Sequence, residues 1–338
     1  MGPAHQLYEL LTEGEELNIV CHNNPDPDCL ASALALGRIA MAAGIEEPHI
    51  LYNGDISHQQ NRAFVNLLDI DLKQFDPKMI RDRPSSSLLA FVDHSVPGAN
   101  NRVPKETHLD IVIDHHPSNT IEARFVDHRD HLGAAATILT EYLRELDIEL
   151  DEALATALLF AIRRETLNFL RGATRGEYEA AAYLNEFVDS DLLRRLSSPP
   201  VTGETLDAIA TAIDNRIVKR SVLISNVGRT VERDALPQAA DYLATLEGVE
   251  TAIVFGIIGD AIQLSARSPD LRIHAGNVLR ETFEDVGSCG GHHDVAGGEI
   301  PLGIFADYTS DDETLLAIVE EVVTGRLFAK LNLETDSK

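Results

Sequence analysis

Short apolar runs alternate with longer segments whose apolar residues recur every three or four positions, and this alternation sets the expected architecture. LNIVC from Leu17, HILYNG from His49, LLAFVDHS from Leu88 and LDIVIDHH from Leu109 are short, β-rich and predict strands. After the first run, CLASALALGRIAMAAG predicts a helix, with Asp28 placed to cap it. Strands that alternate with helices are the pattern of βαβ units around a parallel sheet. Helical periodicity then takes over in GAAATILTEYLRELD, DEALATALLFAIRRE and GEYEAAAYLNEFVDSDLLRRL. Ser, Pro and Gly gather in LSSPPVTGE, so the spacing predicts one domain over 1–195, a linker over 196–206, a second domain over 207–327 and a tail over 328–338.

The second domain carries a different pattern. RSVLISNVGR predicts a strand and PQAADYLATLEG a helix, while TAIVFGII and AIQLSARS flank Gly259-Asp260 as a hairpin. HAGNVLRETFED predicts a helix that leads into the glycine-rich GSCGGHHDVAGGEIPLG, and LLAIVEEVVTGRLFAKL a terminal helix before frayed residues LETDSK. The expected fold class is α/β: a parallel-sheet domain with flanking helices, followed by a smaller α+β domain.

Three of the apolar runs end in metal-type ligands: His22, Asp26 and Asp28 after the first, Asp93 after the third, and Asp114, His115 and His116 after the fourth. In a parallel sheet all these carboxyl ends point to one crevice. Carboxylate together with neutral imidazole suits Mn, Fe, Co or Zn, and the absence of a Cys pair argues against a structural zinc site, which makes Mn the first choice. So many carboxylates repel around one ion, whereas two divalent ions sharing a bridging Asp neutralise them. Such a pair polarises a phosphoryl oxygen and acidifies water, so hydrolysis of a phosphate ester or anhydride is the natural chemistry. Taken singly, HNNPDPD is also an ordinary turn with a helix cap, and DHH a polar strand end; their convergence carries the metal reading. His94, His128, His131 and His293 are expected to face solvent or a neighbouring carboxylate, and Cys29 to be a small buried helix residue.

Composition narrows the setting. With 55 acidic and 28 basic side chains the formal net charge is -27, the acidic surface of a salt-adapted protein, as in the cytoplasm of a halophilic archaeon. A long basic groove for duplex DNA is not expected. The three cysteines, Cys21, Cys29 and Cys289, have no spacing of a disulfide framework, in keeping with a reducing cytosol. MGPAHQLYELLTEGEE lacks the apolar core of a signal peptide and no stretch is long enough to span a bilayer, so a cytoplasmic protein with no membrane partner is expected.

HNNPDPD, VDHS, DHH and GGHHDVAGG, in that order, resemble the DHH phosphoesterase superfamily, in its two-domain form with a DHH-associated C-terminal domain, over nearly the whole chain. The resemblance implies His22, Asp26, Asp28, Asp93 and His115 as metal ligands with Asp93 bridging, His116 on the substrate phosphate and Asp114 orienting the histidines, which makes Asp93, His116 and Asp114 the catalytic set. It implies two divalent ions, Mn first. In the second domain it places Gly290, Gly291 and His292 against the substrate, with Arg267 as phosphate partner and the active site in the interdomain cleft. Where the family carries Asp in a segment like TDTxxF, this chain has FAIRRETLNF, so Glu165 takes the ligand position with a reach longer by about 1.5 Å. Arg164 beside it is expected to pair with that carboxylate and draw it from the ion. The implied activity is Mn-dependent hydrolysis of short oligoribonucleotides, of pAp-like nucleotides, or of both. A cyclic dinucleotide or a longer single strand is the alternative substrate, and an attenuated nucleotide-binding or regulatory protein the alternative class. The implied partner is short single-stranded RNA or DNA or a nucleotide, and a homodimer is left open.

Overall fold

The computed structural model describes residues 2–54, 56, 59–118, 121–270, 272–306 and 312–333. The chain divides into two units, Met1–Pro199 and Pro200–Lys338. The division falls within the stretch expected as a linker, which holds the end of helix Ser190–Ser197 and the start of helix Gly203–Asp214.

Six strands of the first unit, β1 (Glu16–Asn23), β2 (His49–Asn53), β3 (Leu72–Gln74), β4 (Ser87–Val92), β5 (Leu109–Asp114) and β6 (Ala123–His128), form one sheet in the order β3-β2-β1-β4-β5-β6. Every neighbouring pair is parallel. The strand order therefore reverses between β1 and β4, the position where open α/β sheets leave a crevice at their carboxyl ends. Side-chain alternation splits the strands between two cores. Leu17, Ile19 and Cys21 of β1 join Leu88, Ala90 and Val92 of β4 in one cluster, while Val20, Leu89 and Phe91 join another. The first cluster is completed by helices Pro27–Ala42, Ala135–Glu145 and Glu152–Glu165. Leu36 and Ile39 are fully buried there, each contributing about 1.5–3 kcal/mol.

Two local expectations need correction, and one strand was not expected. Asp26, not Asp28, caps helix Pro27–Ala42, accepting the N–H groups of Asp28 and Cys29 at 3.0 and 3.1 Å. The helical pattern from Gly176 to Leu196 is two helices, Arg175–Leu184 and Ser190–Ser197, because Asp189 accepts from the N–H groups of Asp191 and Leu192 and starts a new one. Strand β6 escaped the apolar-run criterion because half of its residues are polar or charged and it is partly exposed, with burial at Phe125.

The second unit contains β7 (Ile217–Lys219), β8 (Val222–Arg229), β9 (Thr251–Ile258), β10 (Ala261–Arg267), β11 (Ser288–Gly291) and β12 (Val295–Pro301), in the order β11-β12-β10-β9-β8-β7. β8 and β9 are parallel and the other neighbours antiparallel. The β9–β10 hairpin turns at Gly259, whose φ of +56° suits glycine. The glycine-rich segment is itself a hairpin, β11 against β12. Helix Ala275–Phe283 lies so close to it that a Cβ on Gly276 would stand 2.2 Å from the Gly291 carbonyl oxygen. Helix Asp312–Lys330 runs into the stretch expected as a tail, and Phe328 and Leu333 are buried; residues 334–338 of LETDSK lie outside the described residues. No helix of the described residues is long and apolar enough to cross a membrane.

Candidate metal centre

The carboxyl ends of β1, β4 and β5 bring the candidate ligands of the first unit together. His22, near the end of β1, directs Nδ1 to the Asn23 carbonyl at 3.0 Å. A carbonyl accepts only, so Nδ1 carries a proton and Nε2 is the nitrogen turned towards the carboxylates. That Nε2 lies 3.8 Å from Asp26 and 3.5 Å from Asp93. His115, just past β5, repeats the device, with Nδ1 on the Leu132 carbonyl at 3.1 Å and Nε2 3.2 Å from Asp93 Oδ1.

Asp93 sits between the two imidazoles. Its backbone is in the left-handed region at φ +65°, where Asp and Asn are the best tolerated side chains after glycine, and its N–H is pinned to the Ile113 carbonyl at 2.9 Å. Only 3% of the residue is exposed. Asp93 Oδ1 and His115 Nε2 are buried and have no hydrogen-bond partner among the described residues, although they face each other at 3.2 Å. Buried ligand-type atoms that converge without a hydrogen-bond partner are an arrangement a cation satisfies.

The remaining candidates vary in how directly they join. Asp28 Oδ2 lies 3.6 Å from His115 Nε2. Both Asp28 oxygens also accept backbone N–H groups, from Ala135 at 2.8 Å and Ala136 at 2.9 Å, and so cap helix Ala135–Glu145, whose own cap position, Ala134, has no side-chain acceptor. Each oxygen keeps a second lone pair. Asp114 accepts from His116, through the backbone N–H and the ring Nδ1, both at 3.0 Å, and leaves the half-exposed His116 with Nε2 free of that bond. Glu165, at the end of its helix, lines the same cleft of about 330 Å³ as His22, Asp26, Asp93 and His116.

Two expectations about neighbours are overturned. The guanidinium beside Glu165 is that of Arg171, 3.9 Å from Oε1, while Arg164 lines a different cleft, because successive helical residues point about 100° apart. His94 does not face solvent or lean on a carboxylate. It is buried, stacked on Phe91 with ring centres 4.2 Å apart, and its Nδ1 meets the Val92 carbonyl at 2.9 Å. Burial holds its pKa down to about 4. Ser95, Asn100 and Ser118 also line the cleft. Sequence reasoning passed over them, and their position within a few residues of VDHS and DHH was the available signal.

The electrostatics of the cluster favour added positive charge. Burial opposes a charged His115, yet Asp93 and then Asp28 raise it to about 10. Burial likewise opposes a charged His22, but Cys29, Asp26 and Asp93 raise it. For Asp93 burial opposes ionisation, and His115 and His22 hold its carboxyl below the usual range. Asp28 is pushed up by burial and by the Asp93 charge, and Glu165 by burial and by Asp26 and Asp93. Acids that repel one another around imidazoles that hold protons are what a divalent ion would relieve.

In the second unit, Arg267 at the end of β10 is held by Asp241, Ser265 Oγ and the Ala266 carbonyl. Gly290 and Gly291 pair with Gly297 and Ala296 across the β11–β12 hairpin, and the exposed His292 gives its backbone N–H to the Val295 carbonyl at 2.8 Å. His293 stacks at a tilt on His274, ring centres 5.2 Å apart.

Comparison with known proteins finds two family models that match the chain. The family model described as the DHH family, N-terminal domain, matches residues 16–162, and the DHHA1 domain matches residues 219–325. The chain is 39% identical to uncharacterized protein MJ1633 of Methanocaldococcus jannaschii, over 95% of this chain and 65% of that protein. It is 24% identical to the cyclic-di-AMP phosphodiesterase PdeA of Listeria monocytogenes, over 78% of this chain and 42% of that protein. The chain thus spans less than two thirds of the length of either. Among solved structures, an exopolyphosphatase-related protein from Bacteroides fragilis shares the fold, with a TM-score of 0.72 at 14% identity over 98% of each chain.

Proposed function

The chain belongs to the DHH superfamily, whose members are metal-dependent phosphoesterases, and on that premise we propose that it hydrolyses phosphate esters of short oligoribonucleotides, of pAp-like nucleotides, or of both. One observation carries the proposal: Asp93 stands between the Nε2 atoms of His22 and His115, whose Nδ1 atoms are both engaged by backbone carbonyls, so that Nε2 is the nitrogen available to an ion once its proton is lost. In this reading His22, Asp26, Asp28, Asp93, His115 and Glu165 hold two divalent ions, Mn by preference of the donor set, with Asp93 shared. Bound there, such ions would neutralise charge on phosphoryl oxygens and acidify water.

The chain's own groups supply orientation. Asp114 fixes the His116 ring from its Nδ1 side, which leaves Nε2 as the hydrogen-bonding atom for a substrate phosphate. In the second unit, Gly290, Gly291 and His292 are proposed to meet the substrate, and Arg267 its phosphate, which there has to compete with Asp241. The likeness to PdeA supports cyclic di-AMP as the alternative substrate. Slow turnover by a nucleotide binder is the second reading, favoured by one observation, that the longer Glu165 carboxylate lies 3.9 Å from the Arg171 guanidinium. A cytoplasm rich in salt is the proposed setting, from the net charge of -27.

Metal analysis after Mn loading and desalting, paired with nucleotide release from a short RNA, tests the proposal. About two ions per chain with rapid release support it. About one ion per chain, or nucleotide bound with negligible release, favours the second reading, and no retained metal contradicts the phosphoesterase proposal.

A further inference from the structure

Helix Glu152–Glu165 ends in Arg163, Arg164 and Glu165, and the three side chains part company. Glu165 lines the metal cleft, whereas Arg163 and Arg164 line a separate concavity of about 210 Å³ with Gln60, Phe160, Asn168 and Ser197. Among the described residues no Asp or Glu lines it, in a chain with 55 acidic side chains against 28 basic ones. Among the described residues neither guanidinium pairs with a carboxylate. Two adjacent cations that lack counter-ions repel each other, and an anion held between them removes that repulsion.

The donors are also arranged in advance. Arg163 gives Nε–H to Asn168 Oδ1 at 3.1 Å, which fixes the guanidinium and leaves the Asn168 amide N–H groups to donate. Asn168 itself is held at φ +55° between Leu167 at +49° and Phe169 at +67°, and its N–H returns to the Arg163 carbonyl at 2.6 Å. Three successive non-glycine residues in the left-handed region are rare, and strain of this kind gathers at ligand clamps. The planar guanidinium fork matches phosphoryl oxygens, and the apolar Phe160 gives the concavity one uncharged wall.

We infer that this concavity is an anion site for a phosphoryl group, separate from the metal centre. Free inorganic phosphate and the phosphate of a nucleotide present the same chemistry, and the two are told apart by comparing inorganic phosphate with AMP. Because the claim concerns equilibrium binding, it stands independently of the phosphoesterase reading.

Calorimetric titration with inorganic phosphate and with AMP tests it on the full chain, in wild type and in the Asp93→Asn background, which removes the charge at the centre of the metal site. A phosphate site that persists in Asp93→Asn and weakens by about tenfold or more in Asp93→Asn/Arg163→Gln/Arg164→Gln is expected, with the thermal melt and the Mn content of Arg163→Gln/Arg164→Gln in the wild-type background unchanged. The single Arg164→Gln change, at an exposed side chain, is expected to weaken binding by a smaller factor and serves if the multiple variant folds poorly. Tighter binding of AMP than of phosphate identifies a nucleotide as the source, and equal binding identifies free phosphate. Unchanged affinity in the arginine variants, or phosphate binding that vanishes with Asp93→Asn alone, overturns the inference.

Discussion

Replacing Asp93 by Asn removes one charge while keeping the side-chain volume and a residue type that tolerates φ of +65°. Alanine at that backbone position would add strain and confuse loss of fold with loss of charge. The carboxylate oxygens lie 3.2 Å from His115 Nε2 and 3.5 Å from His22 Nε2, so any ion held by these imidazoles is also close to Asp93. A unit charge pair about 4 Å apart contributes about 4 kcal/mol at an effective dielectric constant of about 20. The doubled charge of a divalent ion raises this, and desolvation of the buried carboxylate offsets part of it. A net loss of about 4 kcal/mol is roughly a thousandfold in affinity. Calorimetric Mn titration of chelator-stripped wild type and Asp93→Asn measures it directly, with far-UV circular dichroism to show that the fold persists. An Asn variant that binds Mn within about tenfold of wild type refutes the placing of Asp93 at the centre of the site.

The raised pKa values of His22 and His115 require proton loss when an ion binds, so Mn affinity should climb with pH through neutrality towards the His115 value of about 10. Calorimetry at pH 7 in buffers of different ionisation enthalpy is expected to show about one to two protons released per chain, and none would contradict the assignment. In chelator, the His115 contribution to stability is fully present below about 6.5 and lost as pH rises through about 10, a loss that urea melts across that range detect. Glu165→Ala should lower bound Mn from about two ions to about one per chain, Arg171→Gln should strengthen Mn binding, and Arg164→Thr should leave it unchanged, as read by metal analysis and titration. Gly276→Ala forces a Cβ to within 2.2 Å of a backbone oxygen and should cost about 1–3 kcal/mol without changing Mn content; an unaltered thermal melt would contradict the close approach of helix and hairpin.

The parallel sheet was legible because β1, β4 and β5 are buried on both faces and therefore mostly apolar, interrupted by the buried Asn18 in β1 and Asp110 in β5. The meeting of the candidate residues His22, Asp93 and His115 followed from the same feature, since a strand end fixes where its next residues point. What escaped was set by tertiary contact. Asp28 looked like the cap of its own helix, yet its oxygens cap helix Ala135–Glu145, more than a hundred residues away. His94 carried no apolar signal of its own, and only the fold puts it on Phe91. Arg164 is next to Glu165 in sequence, but helical rotation sends it to another cleft, and Arg171 reaches Glu165 from beyond the turn. The β11–β12 pairing was hidden because glycine-rich strands lack the side chains from which strand patterns are recognised.

Hydrolysis of a panel of short RNA, pAp, cyclic di-AMP and inorganic pyrophosphate, by Mn-loaded and by chelator-stripped protein at high salt, tests the central claim most directly. The predicted result is Mn-dependent turnover of short RNA or pAp, faster than of pyrophosphate and abolished by chelator. Mn-loaded protein that leaves the whole panel intact, or turnover that chelator does not touch, would contradict it.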